Sequence, residues 1–545
     1  MNDRLKVTRM RRSSRWVAAM VLSVTFGHAA AAPPLFDNLG SLQHPITTTS
    51  ETAQRYFDQG LRLTYAFNHE EAIRSFEEAA RQDPSAAMPH WGIALALGPN
   101  INAAMEKEAE RRAVEAIKAA RSRISGASEK ERAYIEALAN RYLSTKPAKR
   151  AVLDKAYADS MRTLHQHYPD DPDAAVLFAE AMMDLRPWDL WTGDGKPKAG
   201  TDEIVATLEA VLAVHPEHPG ACHFYIHAVE ASSRPERALP CAGRLADLMP
   251  GAGHLVHMPA HIYARVGQYH QSADHNAAAA KTDEQYLAHN QLAGDYADGY
   301  YAHNVHFLWD SLMMEGRSAD AGKAAESLAA LITVEAARKD PIKEQYLIAP
   351  LATAIRFGRW EDLLKQPAPP KGFHVVEGVW RLGRGMALAA TGRLPGAAGE
   401  LHALAGMTRQ IRRTRTSTDK IERAQLKIAE RMLAGDVAAH HQRYEEAVKA
   451  FREALKIEES LQYSEPPLWP LSVRHHLGAV LLMARRPAEA EVEYRMDLKR
   501  YPENGWALFG LVQSLKAQQK DAAETESRFE RAWSHADITL TSSRF

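Results

Sequence analysis

The sequence predicts an all-α protein, a right-handed α-solenoid of antiparallel helical hairpins, and three observations lead there. Apolar residues recur with helical spacing along almost the whole chain, and no segment shows the alternation of a half-buried strand. Two helical histidine pairs, His223 with His227 and His257 with His261, recur at a separation of 34 residues, a period that marks stacked repeats. At 545 residues the chain is also too long for one compact core, so units that bury their faces on their neighbours are expected.

Taken in order, the N-terminus comes first. Arg4, Lys6, Arg9, Arg11, Arg12 and Arg15 precede an apolar stretch from Trp16 to Phe26 and the small residues of HAAAAPP. This pattern reads as a signal peptide over residues 1–32, cut near Ala30 or Ala32, and implies a periplasmic or secreted protein. Arg11 and Arg12 leave a twin-arginine version of the signal open, although the residues after them match it poorly. The leader holds six of the 67 basic side chains and one of the 68 acidic ones, so the remainder is net acidic, which argues against a nucleic-acid partner. No later segment has enough uninterrupted apolar residues to span a bilayer.

The first clear hairpin carries Tyr56, Gly60, Ala72, Phe76, Ala79 and Pro84. Small residues at Gly60 and Ala72 let two helices approach closely, the other apolar positions fill the hairpin, and the proline ends it. These positions match the consensus of the tetratricopeptide repeat, and the chain as a whole resembles that superfamily, which implies about ten hairpins. Gly385 with Ala397, and Gly478 with Ala490, Tyr494 and Pro502, fit the same register, while RYEEAVKAFREAL from Arg443 reads as a second helix. Breaks fall at LSTKPAKRA (143–151), RPWDLWTGDGKPKAG (186–200), KQPAPPKG (365–372) and SEPPLWP (464–470). The proline-rich break near 370 is the expected boundary between an N-terminal solenoid, 33–365, and a C-terminal one, 372–545.

In this register the histidine segments are the first helices of successive repeats. His223 and His227, with Glu230, lie at equivalent points to His257 and His261, which follow His254. A third hairpin, after a spacer about fifteen residues longer than the period, brings His303, His306 and Asp310. The resemblance implies that these positions line a concave groove where ligands bind. Residues four apart share a helix face, so each histidine pair can act as a paired donor across neighbouring helices. His223, His227, His257 and His261 would saturate a tetrahedral ion. Three of them, with Glu230 or Asp310 as ligand, outer partner or base, would leave a position for water or substrate. His254, His303 and His306 are further candidates. Nitrogen and oxygen donors do not distinguish zinc, iron or copper.

Two competing readings stay open for the cluster: a metal-free polar groove that contacts a protein or peptide, and simple packing. Met313 and Met314 would favour copper if they joined a site, but read more simply as core. Arg265 is placed to hold an acidic group. Cys222 and Cys241 lie on opposite helices of one hairpin about a turn out of step, so a disulfide is not expected by default. The chain lacks H-E-x-x-H, G-x-S-x-G, a phosphate-binding P-loop and a dinucleotide glycine fingerprint, so an enzyme here would be a metal-dependent hydrolase or oxidoreductase. The run H-M-P-A-H-I after HxxxIHxxE resembles a group of exported bacterial repeat proteins sharing H-M-P-[SA]-H-I, a resemblance that supplies architecture and no chemistry.

Overall fold

The computed structural model describes residues 32–143, 149–290, 296–340, 343–410 and 417–545, so the expected leader lies outside the described residues but for Ala32. Helices follow one another with short turns. The first eight are α1 (Glu51–Tyr65), α2 (His69–Gln82), α3 (Met88–Ala96), α4 (Lys107–Ser122), α5 (Glu129–Tyr142), α6 (Arg150–His167), α7 (Pro172–Asp184) and α8 (Thr201–Val214). The histidine-bearing part comprises α9 (Pro219–Val229), α10 (Leu239–Leu248), α11 (Gly253–His257), α12 (Pro259–Arg265), α13 (Tyr269–Asn290) and α14 (Ala302–Glu315). Then come α15 (Ser318–Leu331), α16 (Val334–Lys339), α17 (Glu344–Leu347), α18 (Ala349–Arg356) and α19 (Trp360–Lys365). The last are α20 (His374–Ala390), α21 (Leu394–Gln410), α22 (Ser417–His440), α23 (Tyr444–Glu458), α24 (Val473–Met483), α25 (Pro487–Arg500), α26 (Gly505–Ala517) and α27 (Ala523–Ala532). Among the described residues there is no extended strand, and the all-α solenoid is the observed class. No described helix is long and apolar enough to cross a membrane.

Local chemistry sets the helix ends. Ser50 caps α1 by accepting from the Ala53 amide at 3.2 Å, and Ser128 with Glu131 forms a reciprocal capping box on α5. Asp171 caps α7, whose first residue, Pro172, has no amide to leave unpaired. Within the hairpins an aromatic ring is wedged between two glycine-bearing helices. A Cβ on Gly60 or Gly92 would approach the Phe76 ring to 2.6 or 2.5 Å, and one on Gly478 or Gly510 would approach Tyr494 to 2.4 or 2.1 Å. The same device thus stands in the first clear repeat and in one of the last, each time across two successive helical layers.

The stack does not stay open. Tyr65, at the end of α1, packs on Phe224 of α9. At the other end the Trp506 indole donates to the Met313 carbonyl at 2.9 Å, and the Asp537 carboxylate accepts from the Ser318 and Ala319 amides at 2.7 and 2.8 Å. The C-terminal hairpins therefore fold back over α12 and α14. One apolar core draws on residues between Leu39 and Ile262 and a second on residues between Ala273 and Leu540. The division between cores falls at the start of α13. The proline-rich segment near 370 joins α19 to α20, where Leu363 of α19 and Ile355 of α18 meet Gly383 of α20.

A buried polar knot ties the N-terminal arm to this stack. Asp173 accepts from His44 Nδ1 at 2.7 Å and from the Tyr65 hydroxyl at 2.5 Å, and lies 3.3 Å from His218 Nε2. Burial opposes both charges. The hydrogen bond and charge of Asp173 nevertheless raise His44 above its usual pKa, while His218 and His44 hold Asp173 far below the usual carboxylate range.

Two predictions follow from packing and linkage. Phe76→Ala, which empties the wedge, should cost about 3–5 kcal/mol in chemical denaturation; a loss under about 1 kcal/mol would show that the wedge does not hold the hairpin. The raised His44 contributes stability below about pH 6.5 that is lost as pH rises through its folded value. The depressed Asp173 contributes above about pH 4 and loses it as pH falls. Asp173→Asn should therefore reduce stability most near pH 5–6, by about 3–5 kcal/mol in chemical denaturation, with a smaller difference at pH 9.

Candidate metal centre

The 34-residue spacing places α9 and α11–α12 as neighbouring first helices, with α14 next in the series. Pro259 lacks an amide hydrogen and splits the second of these between His257 and His261. The expected four-histidine set is not one site. Each pair instead takes a third imidazole from the following repeat: His223, His227 and His254 gather in one triad, and His257, His261 and His303 in another. Within each triad one ring nitrogen per residue lies within 4.8 Å of the other two. His223, His254, His257 and His261 are at most 2% exposed, His227 is 5% exposed and His303 half-buried. These positions are enclosed: Phe67 and Tyr300 lie against His254, and Glu465 of the C-terminal part lies against His261.

Four of the six rings are oriented by acceptors on Nδ1. His223 donates to the Tyr65 carbonyl at 2.6 Å, and His227 to Glu230 Oε1 at 2.8 Å. His261 Nδ1 stands 2.6 Å from Glu230 Oε2, and His257 donates to Asn276 Oδ1 at 2.6 Å. The Asn276 amide is itself fixed, because its Nδ2 donates to the Ser272 carbonyl at 2.8 Å. With Nδ1 of His223 and His257 protonated, their lone pairs sit on Nε2 and face inward: His223 Nε2 is 3.1 Å from Nε2 of His254, whose own Nδ1 has no partner, and His257 Nε2 is 2.8 Å from His261 Nε2. His227 Nε2 is buried without a partner.

Burial, then the neighbouring imidazoles, hold His223, His254 and His257 well below the usual histidine pKa, which keeps them neutral and able to ligate. His261 differs. Burial works against its charge, but Glu230, with help from Glu465, raises it to about 10. Burial likewise disfavours the Glu230 carboxylate, yet His261 and His227 bring it down to about 2. Both Glu230 oxygens face imidazole Nδ1 atoms, so this candidate base is engaged by His227 and His261.

Aromatic residues close the cluster. The Phe67 ring lies 4.6 Å from His223 and 5.5 Å from His254, and Phe307 lies 4.8 Å from His261 and 5.3 Å from His257. Phe67 and Trp188, which both touch His227, adopt left-handed backbone conformations with φ of 56° and 59°, a strained choice for bulky residues. A π-helical turn, Ala297–Tyr301, leads into α14 and sets Tyr300 against His254 at 4.8 Å.

Several wall residues came from segments that read only as breaks. SEPPLWP and its flank supply Glu465, 3.3 Å from His261 Nδ1, and Tyr463, whose hydroxyl meets Glu465 and lies 3.5 Å from Glu230. RPWDLWTGDGKPKAG supplies Trp188. Arg265 donates to the Glu230 backbone carbonyl at 2.8 Å and lies 3.5 Å from the Glu465 carboxylate, both groups of this chain and not of a ligand. The signal that could have found these residues is a long non-helical insertion carrying aromatic and acidic side chains in an otherwise regular repeat.

Two second-tier candidates stand outside the triads. His306 stacks on Trp309 at 5.5 Å and edges Tyr346. Asp310 faces a cavity of about 50 Å³ lined also by Phe307, Tyr463, Glu465, Arg500 and Tyr501, and burial raises its pKa to about 7. Met313 packs in the second core and Met314 lines the same cavity as Asp310. Cys222 and Cys241 are buried free thiols, and a hydrogen bond between them followed by burial pushes Cys222 up.

No family model matches this chain, and no curated protein does. Among solved structures it is similar to Cut9 in the APC/C hetero-tetramer Cut9-Hcn1, with 13% identity over 88% of this chain and 76% of that one and a TM-score of 0.32. It is similar to human IFIT1 in its dimer with m7Gppp-AAAA, with 13% identity over 89% and 91% of the two chains and a TM-score of 0.31. It also matches the TPR domain of P58(IPK), with 11% identity over 86% of this chain and 98% of that one and a TM-score of 0.19. TPR is the repeat this sequence resembles, but likeness at these TM-scores carries no argument, and the helical architecture rests on the chain's own hairpins.

Proposed function

We propose that this chain is an exported helical-repeat protein that binds a transition-metal ion through its interior histidine cluster, for metal handling or for a metal-dependent hydrolytic or redox reaction. The observation that carries this reading is the His257–His261 contact. His257 Nδ1 is committed to Asn276 and His261 Nδ1 lies 2.6 Å from Glu230, so the two Nε2 atoms meet at 2.8 Å in a buried site where one cation sits between them. Such a contact needs a cation, either a proton taken up by His261 or a metal that displaces it. Imidazoles ligating through Nε2 with Nδ1–H held by carboxylate or carbonyl oxygens are the usual outer arrangement of a metal site.

The donors suit zinc, iron or copper alike. Asp310, beside a cavity that also reaches Glu465 and Phe307, is the carboxyl best placed to exchange a proton near neutral pH. A partner protein reading, in which the histidines contact a peptide, has to contend with their burial; such a partner would dock on other faces of the solenoid. The expectation of export rests on the leader.

Protein exported to its native compartment and purified without a histidine tag should carry near-stoichiometric metal by elemental mass spectrometry, and His257→Ala/His261→Ala should lose metal. Native protein that is metal-free and stays so on exposure to zinc, copper and iron would rule this reading out. Asn276→Leu, which removes the acceptor on His257 Nδ1, should weaken metal affinity by about 10–100-fold while the circular dichroism stays helical.

A further inference from the structure

The repeat has built its histidine site twice. His223 and His227 relate to His257 and His261 by the 34-residue period, and the third member of each triad, His254 or His303, precedes the next repeat's helix position by the same interval, three residues before His257 and before His306. The extra length between the second and third repeats is taken up by the 22-residue α13 and the π-helical turn, so His303 still arrives beside His257, at 4.8 Å between rings.

The six nitrogens converge on two points. They form two separate groups of three, each a sufficient protein set for an ion that keeps an open position. No wall divides the groups: His227 faces His261 at 5.7 Å between ring centroids and His254 faces His257 at 5.8 Å, distances like those inside a triad. Glu230 joins them, since its two oxygens meet Nδ1 of His227 in one triad and Nδ1 of His261 in the other. A single ion in one triad would leave the other three imidazoles gathered and largely buried, with His227 Nε2 without a partner in the first triad.

We propose that the chain holds two transition-metal ions side by side, one in each histidine triad, as a binuclear centre whose two ligand shells share the Glu230 carboxylate as a common outer partner. The proposal rests on the metal-binding reading above and adds its stoichiometry. Each ion has three imidazoles, which leaves its coordination incomplete, the composition of two-ion sites that clamp or activate one substrate between them.

The test is a titration of metal-stripped wild-type protein with Co²⁺, read by ligand-field absorbance and by elemental analysis after desalting. Saturation at two equivalents per chain is the expected result. His303→Ala, at the half-buried position of the second triad, and His254→Ala, in the first, should each lower this to one, with melting temperature reported beside the count. Wild-type saturation at one equivalent, lost in either variant, would overturn the binuclear proposal and leave a single-metal site standing. No bound metal in wild type would overturn both. The wild-type count does not depend on either variant folding.

Discussion

Glu230 is the constraint on which the rest of the centre depends. A carboxylate with no exposed surface survives as an anion only if it is partnered, and here Glu230 is contacted from three places in the chain. His227 comes from its own helix, His261 from the next repeat, Arg265 to its backbone carbonyl, and Tyr463 from a loop more than two hundred residues later. Satisfying one buried charge therefore fixes the orientation of one imidazole in each triad, His227 and His261. An open superhelix would leave Glu230 to water; the observed chain closes on it.

Repeat architecture explains why the site has two halves. A solenoid repeats backbone geometry at each step, so a side-chain arrangement that works between one pair of helices is reproduced between the next pair if the sequence repeats it. The first triad is closed by Phe67 and the second by Phe307, from the turn after α1 and from α14, so even the aromatic lids are supplied once per triad. Outer partners are less symmetric. His223 leans on a backbone carbonyl and its counterpart His257 on Asn276, which shows that the repeat fixes where the rings go and leaves local residues to fix which nitrogen faces in.

Much of this was legible in the sequence for a physical reason. Helical period, the glycine and aromatic positions of the hairpins, and the recurrence of His223/His227 at His257/His261 are local, and local pattern survives in a linear reading. The grouping into triads was not legible, because it depends on the angle between successive helices and on the Pro259 break, which turn each pair toward the histidine of the next repeat. Tyr65, Phe67, Tyr463 and Glu465 were invisible for a different reason: their contacts with the cluster span long stretches of chain, up to 233 residues for Tyr463 with Glu230, and follow from closure of the whole solenoid.

Closure also restricts what can reach the centre. Among the described residues, the cavity touching His227 and Glu230 is about 20 Å³, room for a water, and the one touching Glu465, Phe307 and Asp310 is about 50 Å³. A peptide side chain does not fit either space as the helices stand. Phe67 and Trp188, held in costly left-handed conformations against His227, are walls of this enclosure, and strain of that kind persists only where surrounding packing over-determines it. A chain that needed only to contact a partner through its histidines would gain nothing by sealing them. Sealing does serve a centre whose lone pairs must be kept from bulk water and whose charge must be balanced by Glu230 and Glu465. The closed form of the solenoid thus leaves water-sized spaces beside His227 and Glu230 and keeps the imidazoles from bulk solvent.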